Sequence, residues 1–352
     1  MADYAMEPLV HNAWYIAAWA HEIDEGIVAR RILGEDVVLF RDGNGKAAAL
    51  EDRCCHRAVP LSLGKTCAAG IRCGYHGLAF DGAGKCVDNP GEATNADVFK
   101  VRAFKMVERQ NMLWIWMGDQ ARADESQIVD FPYHDLDAWP THYGRYEFAA
   151  NYMFMIDNLM DLTHLGYVHG STIGGDPNAH NEAELETKRT ERGAHFIRWM
   201  MNSPPPPSFV KAAGFKGNLD RWSDFEYVAP ASVRQWGGGL DEGTGARENR
   251  DQDGGLSLRL LHHATPETDT SFHYFFSVSV EGIPVQSETG KGFFADILEA
   301  FLEDKVFIEA QQELATKNPD RPLIVRQHDK AVAYSRQALH QMLAEELKQA
   351  AE

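Results

Sequence analysis

Five cysteines are the residues whose type and spacing point most directly to chemistry. Cys54, Cys55, Cys67, Cys73 and Cys86 lie within one short segment, and the rest of the 352-residue chain has none. A secreted protein held by disulfides would spread its cysteines more widely, whereas clustered cysteines with interleaved histidines are typical of a metal site. We expect the three cysteines outside the motifs described next to be small buried residues rather than ligands.

Two short motifs in this segment supply candidate ligands. Cys54-x-His56 is followed, after sixteen residues, by Cys73-x-x-His76, so each motif offers one thiol and one imidazole. These ligand types suit Zn²⁺ or an iron–sulfur cluster, and in a Rieske [2Fe–2S] cluster two cysteines hold one iron and two histidines the other. A structural zinc site stays open on ligand types alone. Zinc modules usually pair like ligands, however, and the mixed halves here favour iron.

A second candidate metal site lies in the apolar segment from Asn158 to His169. Asp161 and His164 are three residues apart and would share one face of a helix. His164 and His169 are five residues apart, so both reach one metal only if the helix bends or ends between them, and Gly166 permits a bend. The spacing therefore predicts two histidine ligands on an interrupted helix.

Two histidines and one carboxylate form the facial triad of non-haem Fe(II). The carboxylate must come from elsewhere, and we select Asp304 over Glu303 and Glu309 on a predicted late helix. A lone histidine on an apolar helix is more often a core residue than a ligand, and Asp161 by position alone could be a helix cap. The joint occurrence of both motifs in one chain favours the metal-binding interpretation.

The surrounding pattern predicts an α+β protein with two unequal domains, residues 1–125 and 126–352. The pattern of the first domain predicts short strands, and a polar acidic stretch near residues 119–130 predicts a linker between the domains. The second combines strands over residues 220–285 with helices over 145–170, 292–317 and 329–352. Gly237 to Gly255 reads as a mobile glycine-rich insertion.

Composition excludes several classes of function. The chain has 34 basic and 52 acidic side chains and a net charge of −18, which argues against nucleic-acid binding and against docking on anionic lipid. It has no run of 18 apolar residues and no secretory signal pattern, so we expect a cytoplasmic protein with no membrane association. The sequence contains no dinucleotide-binding fingerprint. A redox reaction at the predicted metal sites would therefore take its electrons from a separate reductase.

These motifs together resemble the Rieske non-haem iron oxygenases, in particular oxygenase components of the vanillate and dicamba O-demethylase type. The stretches that carry this resemblance beyond the metal motifs are Pro60–Gly64, Asp157–His164, Asp220–Trp222, Thr265–Thr268, His273–Phe276 and Glu303–Val306. Cys55 departs from the pattern, because many relatives have proline there. The resemblance implies an N-terminal antiparallel Rieske domain and a C-terminal helix-grip domain, in which an antiparallel sheet wraps around a long helix.

The resemblance also implies the ligand sets. The [2Fe–2S] cluster would be held by Cys54 and Cys73 on one iron and by His56 and His76 on the other. The same resemblance implies that His164, His169 and Asp304 hold a mononuclear Fe(II). It implies a homotrimer in which the Asp161 carboxylate bridges this iron and the cluster of a neighbouring subunit, with the Asn158 amide in a supporting position.

The implied reaction uses O₂ and electrons that a ferredoxin- and flavin-containing reductase takes from NADH. Hydroxylation of a methoxy carbon on a small aromatic acid would give a hemiacetal that collapses to a phenol and formaldehyde. Gln235 and His262 fall where relatives place polar substrate contacts. Ring hydroxylation and N- or C-methyl hydroxylation stay open within the family. Outside it, a bare electron carrier and a zinc-stabilised ligand-binding protein are the alternatives.

Overall fold

The computed structural model describes residues 6–92, 97–250 and 254–351. The chain forms two compact units. The smaller unit comprises Leu9–Ile128 and Thr265–Asp269, and the larger comprises Val129–Ala264, Thr270–Glu352 and the described part of Met1–Pro8. The predicted boundary after residue 125 differs from this division by three residues, and the prediction places Thr265–Asp269 in the second domain.

The smaller unit is built almost entirely from short strands in three antiparallel sheets. Their orders are β1-β11-β10, β2-β3-β4-β9 and β5-β6-β7-β8. The strands are β1 (Trp14–Trp19), β2 (Val28–Ile32), β3 (Glu35–Arg41), β4 (Ala47–Glu51), β5 (Lys65–Cys67), β6 (Gly70–Arg72), β7 (Ala79–Phe80), β8 (Cys86–Asp88), β9 (Ala103–Phe104), β10 (Met106–Arg109) and β11 (Met112–Trp116), with one helix, α1 (Ala20–Asp24).

The expectation that the three cysteines outside the two motifs are all buried is partly wrong. Cys86 is buried in the core of the smaller unit beside Phe80 and Leu50. Cys55 is exposed and Cys67 is half-buried, because Cys55 lies in a tight turn and Cys67 ends the short strand β5. The composition of the segment therefore did not distinguish core positions from turn positions.

The larger unit contains a seven-stranded sheet whose order is β12-β18-β17-β16-β15-β14-β13. Its neighbouring strands run antiparallel in every register observed. The strands are β12 (Thr141–Phe148), β13 (Glu184–Thr190), β14 (Gly193–Ser203), β15 (Leu219–Val228), β16 (Ser232–Asp241), β17 (Leu256–Thr268) and β18 (Ser271–Val280). The helices are α2 (Met153–Met160), α3 (Leu165–Val168), α4 (Pro177–Asn181), α5 (Pro207–Ala213), α6 (Glu288–Lys317) and α7 (Lys330–Ala351).

Helix α6 begins at a cap and packs along the sheet. The Ser287 hydroxyl accepts a hydrogen bond from the Gly290 amide at 3.0 Å, so the helix starts earlier than the predicted residue 292. Its buried residues include Phe293, Ile297 and Phe301, which recur at helical spacing and face the sheet. The predicted α+β fold with an antiparallel sheet around a long helix is confirmed.

The glycine-rich insertion predicted at Gly237 is wrong for its first part. Gly237 to Gly239 lie within strand β16, paired with β15 and β17. A Cβ on Gly238 would lie 2.3 Å from the Trp222 ring, so the missing side chain leaves room for that indole. Residues 251–253 lie outside the described residues. Among the described helices, none is both long and apolar enough to span a bilayer.

Candidate metal centres and substrate cavity

The two cysteine loops of the smaller unit approach each other backbone to backbone. A Cβ on Gly64 would lie 2.1 Å from the Arg72 carbonyl oxygen, and a Cβ on Gly74 would lie 2.7 Å from the Leu63 carbonyl oxygen. Asp52 anchors the first loop, since its carboxylate accepts hydrogen bonds from the Ser62 amide and hydroxyl. Glycine at both contact points lets the two motifs converge.

Both loops turn in the same way around their cysteine. The Ala58 amide donates to the Cys54 carbonyl at 3.0 Å, and the Gly77 amide donates to the Cys73 carbonyl at 3.2 Å. The fifth residue of each turn has a positive φ, 56° at Ala58 and 81° at Gly77. Each turn therefore begins with a buried cysteine, and its exposed histidine follows at the third residue in the first turn and at the fourth in the second.

The four candidate cluster ligands form an inner and an outer pair. Cys54 and Cys73 are buried, and burial, reinforced by the neighbouring Cys73, raises the pKa of Cys54 to about 11. His56 and His76 are exposed, and their ring centroids lie 4.6 Å apart. A bound cation is therefore needed to stabilise buried thiolates, and separate thiol and imidazole pairs fit two irons.

A single zinc ion does not fit these four residues. A tetrahedral site brings all its ligand atoms close to one point. Among the described residues, the one group of three or more potential ligands whose atoms all lie within 4.8 Å of one another is elsewhere, at His164, His169 and Asp304. The geometry of the cysteine loops therefore favours a cluster over zinc.

The second site depends on a break in the helix that carries it. Helix α2 ends at Met160, and Asp161 is extended, with φ −132° and ψ 101°. A 3₁₀ turn covers Leu162–His164, and α3 ends one residue before His169. The interruption at Asp161 and the end of α3 together allow both histidines to face Asp304 of α6.

The predicted end of the helix between His164 and His169 is present, at Val168, but Gly166 does not bend the helix. Gly166 lies within α3, and a Cβ there would be 2.3 Å from Cα of Pro177. The glycine is required for close packing of α3 against α4, and the end of α3 changes the chain direction between the two histidines.

Hydrogen bonds orient both histidines toward Asp304. His164 Nδ1 donates to the Asp161 main-chain carbonyl at 2.8 Å, which leaves Nε2 as the free lone pair. His169 Nδ1 lies 2.7 Å from Glu303 Oε2, and His169 Nε2 lies 3.1 Å from Asp304 Oδ1. His164 Nε2 lies 3.5 Å from the same Asp304 oxygen. Two imidazole nitrogens and one carboxylate oxygen thus converge, as the facial triad requires.

The electrostatics of this site favour a cation. His169 is completely buried, which alone would lower its pKa, but hydrogen bonds and charges from Asp304 and Glu303 outweigh burial and raise it. Burial lowers the pKa of His164, against the opposing charge of Asp304. Histidines in the neutral form that ligates metal would not balance the two carboxylates around His169, and a divalent metal would supply the missing positive charge.

The neighbouring candidates occupy distinct positions. Asn158 Nδ2 donates to Asp304 Oδ1 at 3.0 Å. The half-buried Asp161 carboxylate accepts from the Thr163 amide and hydroxyl, each at 3.0 Å, so it caps the 3₁₀ turn. Glu309 lies away from the histidines and accepts from the Ala149 amide. The role of Glu303 as a partner of His169 was missed, although its place beside Asp304 on α6 was a signal.

A mostly apolar cavity opens beside the three converging residues. It lies between the inner face of the sheet and α6, and His164, His169 and Asp304 form part of its wall. Its apolar lining comprises Leu159, Leu162, Leu165, Ile173, Phe209, Trp222, Phe225, Leu258, Leu260, Phe293, Ile297 and Phe301. Such a lining with few polar groups suits a flat aromatic ligand.

The polar groups of this cavity include both predicted contacts. His262 Nε2 lies 2.9 Å from Gln235 Oε1, and His262 Nδ1 lies 2.6 Å from the Tyr274 hydroxyl. Burial lowers the pKa of His262 to about 3, so the ring is neutral at physiological pH. Sequence reasoning missed Arg221 and Ser223, which line the cavity from neighbouring inward positions on β15.

Two known protein families match parts of this chain. Residues 148–345 match the family described as the vanillate O-demethylase oxygenase C-terminal domain, and residues 13–105 match the Rieske [2Fe-2S] domain. The iron-sulfur subunit of the toluene-4-sulfonate monooxygenase system of Comamonas testosteroni is 37% identical over 339 residues, which is 96% of this chain and 98% of that one.

Two O-demethylase proteins extend the likeness. The vanillate O-demethylase oxygenase subunit of Pseudomonas sp. (strain HR199 / DSM 7063) is 33% identical over 342 residues, 95% of each chain. A crystal structure of dicamba monooxygenase with non-heme iron and dicamba superposes with a TM-score of 0.78 at 31% identity, covering 98% of this chain and 99% of that one. The chain therefore belongs to the Rieske oxygenase components of the vanillate O-demethylase family.

Proposed function

We propose that this oxygenase holds a Rieske cluster at Cys54, His56, Cys73 and His76 and a catalytic Fe(II) at His164, His169 and Asp304. The observation that carries the second assignment is the convergence of two imidazole nitrogens and one carboxylate oxygen beside an apolar cavity. The iron-bearing dicamba monooxygenase, which shares the fold over almost the whole chain, supports it.

The protein's own groups prepare this site for reaction with O₂. Bound iron would supply O₂ activation at open coordination positions, with electrons from the cluster. Glu303 accepts the Nδ1 proton of His169 and so holds the ring with Nε2 toward the metal. Asn158 donates to Asp304 and fixes the carboxylate orientation. The apolar walls exclude water from the reacting carbon.

The substrate we propose is a small aromatic acid that is hydroxylated at a methyl or methoxy carbon. Hydroxylation of a methoxy group gives a hemiacetal, which releases formaldehyde and leaves a phenol. The cavity supports this class because aromatic and aliphatic side chains surround a few polar groups, among them Gln235 and His262. Relatives named for vanillate and for toluene-4-sulfonate bring both the methoxy and the ring-methyl reaction into consideration.

Electrons come from a separate protein, as the designation of relatives as oxygenase components indicates. We propose a reductase with flavin and a ferredoxin-type centre that oxidises NADH. A screen of methoxylated and methylated aromatic acids with such a reductase, O₂ and NADH tests the activity. Formaldehyde or benzylic alcohol formed in proportion to NADH supports the proposal, whereas peroxide alone with every acid contradicts the substrate class.

We further propose a homotrimer in which Asp161 lies between the iron site and the cluster of a neighbouring copy. A groove beside Asp161, His164 and Asp304 is lined by the exposed apolar residues Leu323–Val325. Tyr75, which is 62% exposed, packs against His76 on the smaller unit, with ring centroids 3.9 Å apart and an interplanar angle of 49°. A second copy would cover both apolar surfaces.

Two measurements test this arrangement. Sedimentation should give a mass three times that of the chain. Asp161→Asn should leave both metals bound and slow electron transfer between them, since the amide retains the cap to Thr163 but carries no charge. A monomeric active enzyme, or an Asp161→Asn variant with undiminished turnover, contradicts the proposal.

The rival zinc-stabilised binding protein is tested by composition. The cluster and the separate iron predict about three irons and two acid-labile sulfides per polypeptide in a red-brown protein. A colourless zinc protein without labile sulfide that retains its fold would contradict both metal assignments.

A further inference from the structure

Two arginines are buried close enough to interact; Arg221 lines the substrate cavity, and the charge of Asp161 acts on Arg198. Arg221 and Arg198 are only 7% and 2% exposed. Both donate to main-chain carbonyls: Arg221 to Ile173 and Gly174 at 3.0 Å each, and Arg198 to His180. Neither forms an ion pair with a carboxylate in the described part of the chain. Burying a guanidinium without a counter-ion is costly, so such a pair indicates that an anion binds nearby.

Arg221 is the member of this pair that reaches the cavity. It extends from β15 into the cavity lining, above the Phe209 ring, with 5.0 Å between the guanidinium carbon and the ring centroid. Its Nη1 and Nη2 atoms hold the loop after His169, but its buried Nε has no hydrogen-bond partner. The edge formed by Nε and Nη2 is the one with which arginine binds an oxyanion by two parallel hydrogen bonds.

The neighbouring positions make room for an anion at this edge. Ser223 is the next inward-facing residue on β15, and it also lines the cavity. Gly239 and Gly237 lie opposite Arg221 and Ser223 on β16. A Cβ on Gly239 would lie 2.7 Å from Leu219 Cδ1, so that position is filled, and the room for an anion lies beside Gly237. The nearest atom to a Cβ on Gly237 would be the Gln235 amide nitrogen, at 3.5 Å. Because Gln235 Oε1 faces His262, that amide nitrogen is oriented to donate toward a ligand.

We propose that Arg221 determines substrate specificity by binding the carboxylate or sulfonate group of the aromatic substrate through Nε and Nη2. This inference rests on the proposed function and identifies the residue that binds the acidic group of the substrate. Ser223 and Gln235 add hydrogen bonds to the same oxyanion. The aromatic ring then extends along the apolar lining, and the methyl or methoxy carbon lies at the end of the cavity formed by the iron ligands.

The test compares each acid with a neutral analogue of the same shape. The pairs are 4-methoxybenzoate with 4-methoxybenzamide, and toluene-4-sulfonate with toluene-4-sulfonamide. For wild type, Arg221→Met and Arg221→Lys, kcat and KM are measured with reductase and NADH, and binding of each compound to the holoenzyme is measured by calorimetry. Methionine keeps the stem above Phe209 and removes the charge, whereas lysine keeps the charge and loses the paired donors.

Removing a charge-assisted pair of hydrogen bonds should weaken acid binding roughly 10- to 100-fold in Arg221→Met. Because the substitutions also alter the bonds to the loop after His169, the ratio of acid affinity to amide affinity is the measure; it should fall roughly 10- to 100-fold in Arg221→Met, and Arg221→Lys should restore part of it. The pair that shows the larger change identifies carboxylate or sulfonate as the preferred group.

A purely structural role of Arg221 predicts a different result. If the residue only holds the loop after His169, acids and amides would lose affinity together, and the lysine variant would not restore selectivity; this outcome overturns the inference. Failure of wild type to bind any of the four compounds overturns it as well. Wild-type binding that depends on Arg221 without turnover would instead support the anion site and contradict the proposed reaction.

Discussion

The contact between Glu303 and His169 gives a sharp test of the iron site. Glu303 Oε2 lies 2.7 Å from His169 Nδ1, on the opposite side of the ring from the nitrogen that faces Asp304. Glu303 is therefore expected to orient a ligand without being one. Replacing Glu303 with glutamine keeps an oxygen that can accept the same proton, whereas leucine removes both the acceptor and the charge.

The magnitude follows from the position of this contact. Partners that orient a ligating histidine typically contribute about 10- to 100-fold to metal affinity, which corresponds to about 1.4 to 2.7 kcal/mol. Glu303→Gln should lie at the lower end and Glu303→Leu at the upper end. Asp304→Ala, which removes a ligand, should bind metal more weakly than either variant.

The assay is anaerobic equilibrium dialysis of protein freed of its mononuclear metal against graded Fe(II). The visible spectrum of the cluster serves as the control, because the substitutions lie in the larger unit and should leave it unchanged. If Glu303→Leu bound Fe(II) as tightly as the wild type, the orienting role would be refuted. If it lost more affinity than Asp304→Ala, the ligand would have been assigned to the wrong carboxylate.

Three further substitutions test other parts of the structure. Gly64→Ala should abolish cluster assembly, measured as labile sulfide, because its Cβ would lie 2.1 Å from a carbonyl oxygen; Gly217→Ala, where the Cβ meets nothing within 4 Å, should assemble normally. Arg336→Met should lower the free energy of unfolding in denaturant titrations by about 3–5 kcal/mol, since it removes the cation beside Asp157 and leaves Glu7 with His340 alone. Burial lowers the pKa of His263 to about 3, so the unfolded chain binds the extra proton below pH 6.5 and stability should fall by about 1.4 kcal/mol from pH 7.5 to 5.5 through this residue. His263→Phe should reduce that pH dependence, and an unchanged slope would contradict it.

The parts of the site that the sequence could predict are those encoded in local spacing. The Cys-x-His and Cys-x-x-His motifs each form one turn, so the ligands of each loop can be predicted from consecutive residues. All three candidate carboxylates lie on the long late helix that the sequence predicts, and that helix is present as α6; the resemblance to Rieske oxygenases singles out Asp304 among them.

The remaining features depend on contacts between distant segments. The interruption of the iron-site helix lies at Asp161, because that side chain caps the next turn, and Gly166 is required by Pro177 on a different helix. The glycines after Trp236 read locally as a loop, but they belong to a strand whose missing side chains accommodate Trp222. Spacing along the chain does not encode such neighbours.

The row of side chains that α6 presents to the cavity should limit the length of the substrate. Phe293, Ile297 and Phe301 line the cavity from the same side of the helix as Asp304, at successive turns. With a rise of 1.5 Å per residue, this row spans about 16 Å away from the reacting centre. Enlarging or trimming one of these three side chains should therefore select substrates by how far they extend from the carbon that is oxidised, while Asp304, the proposed metal ligand, stays in place.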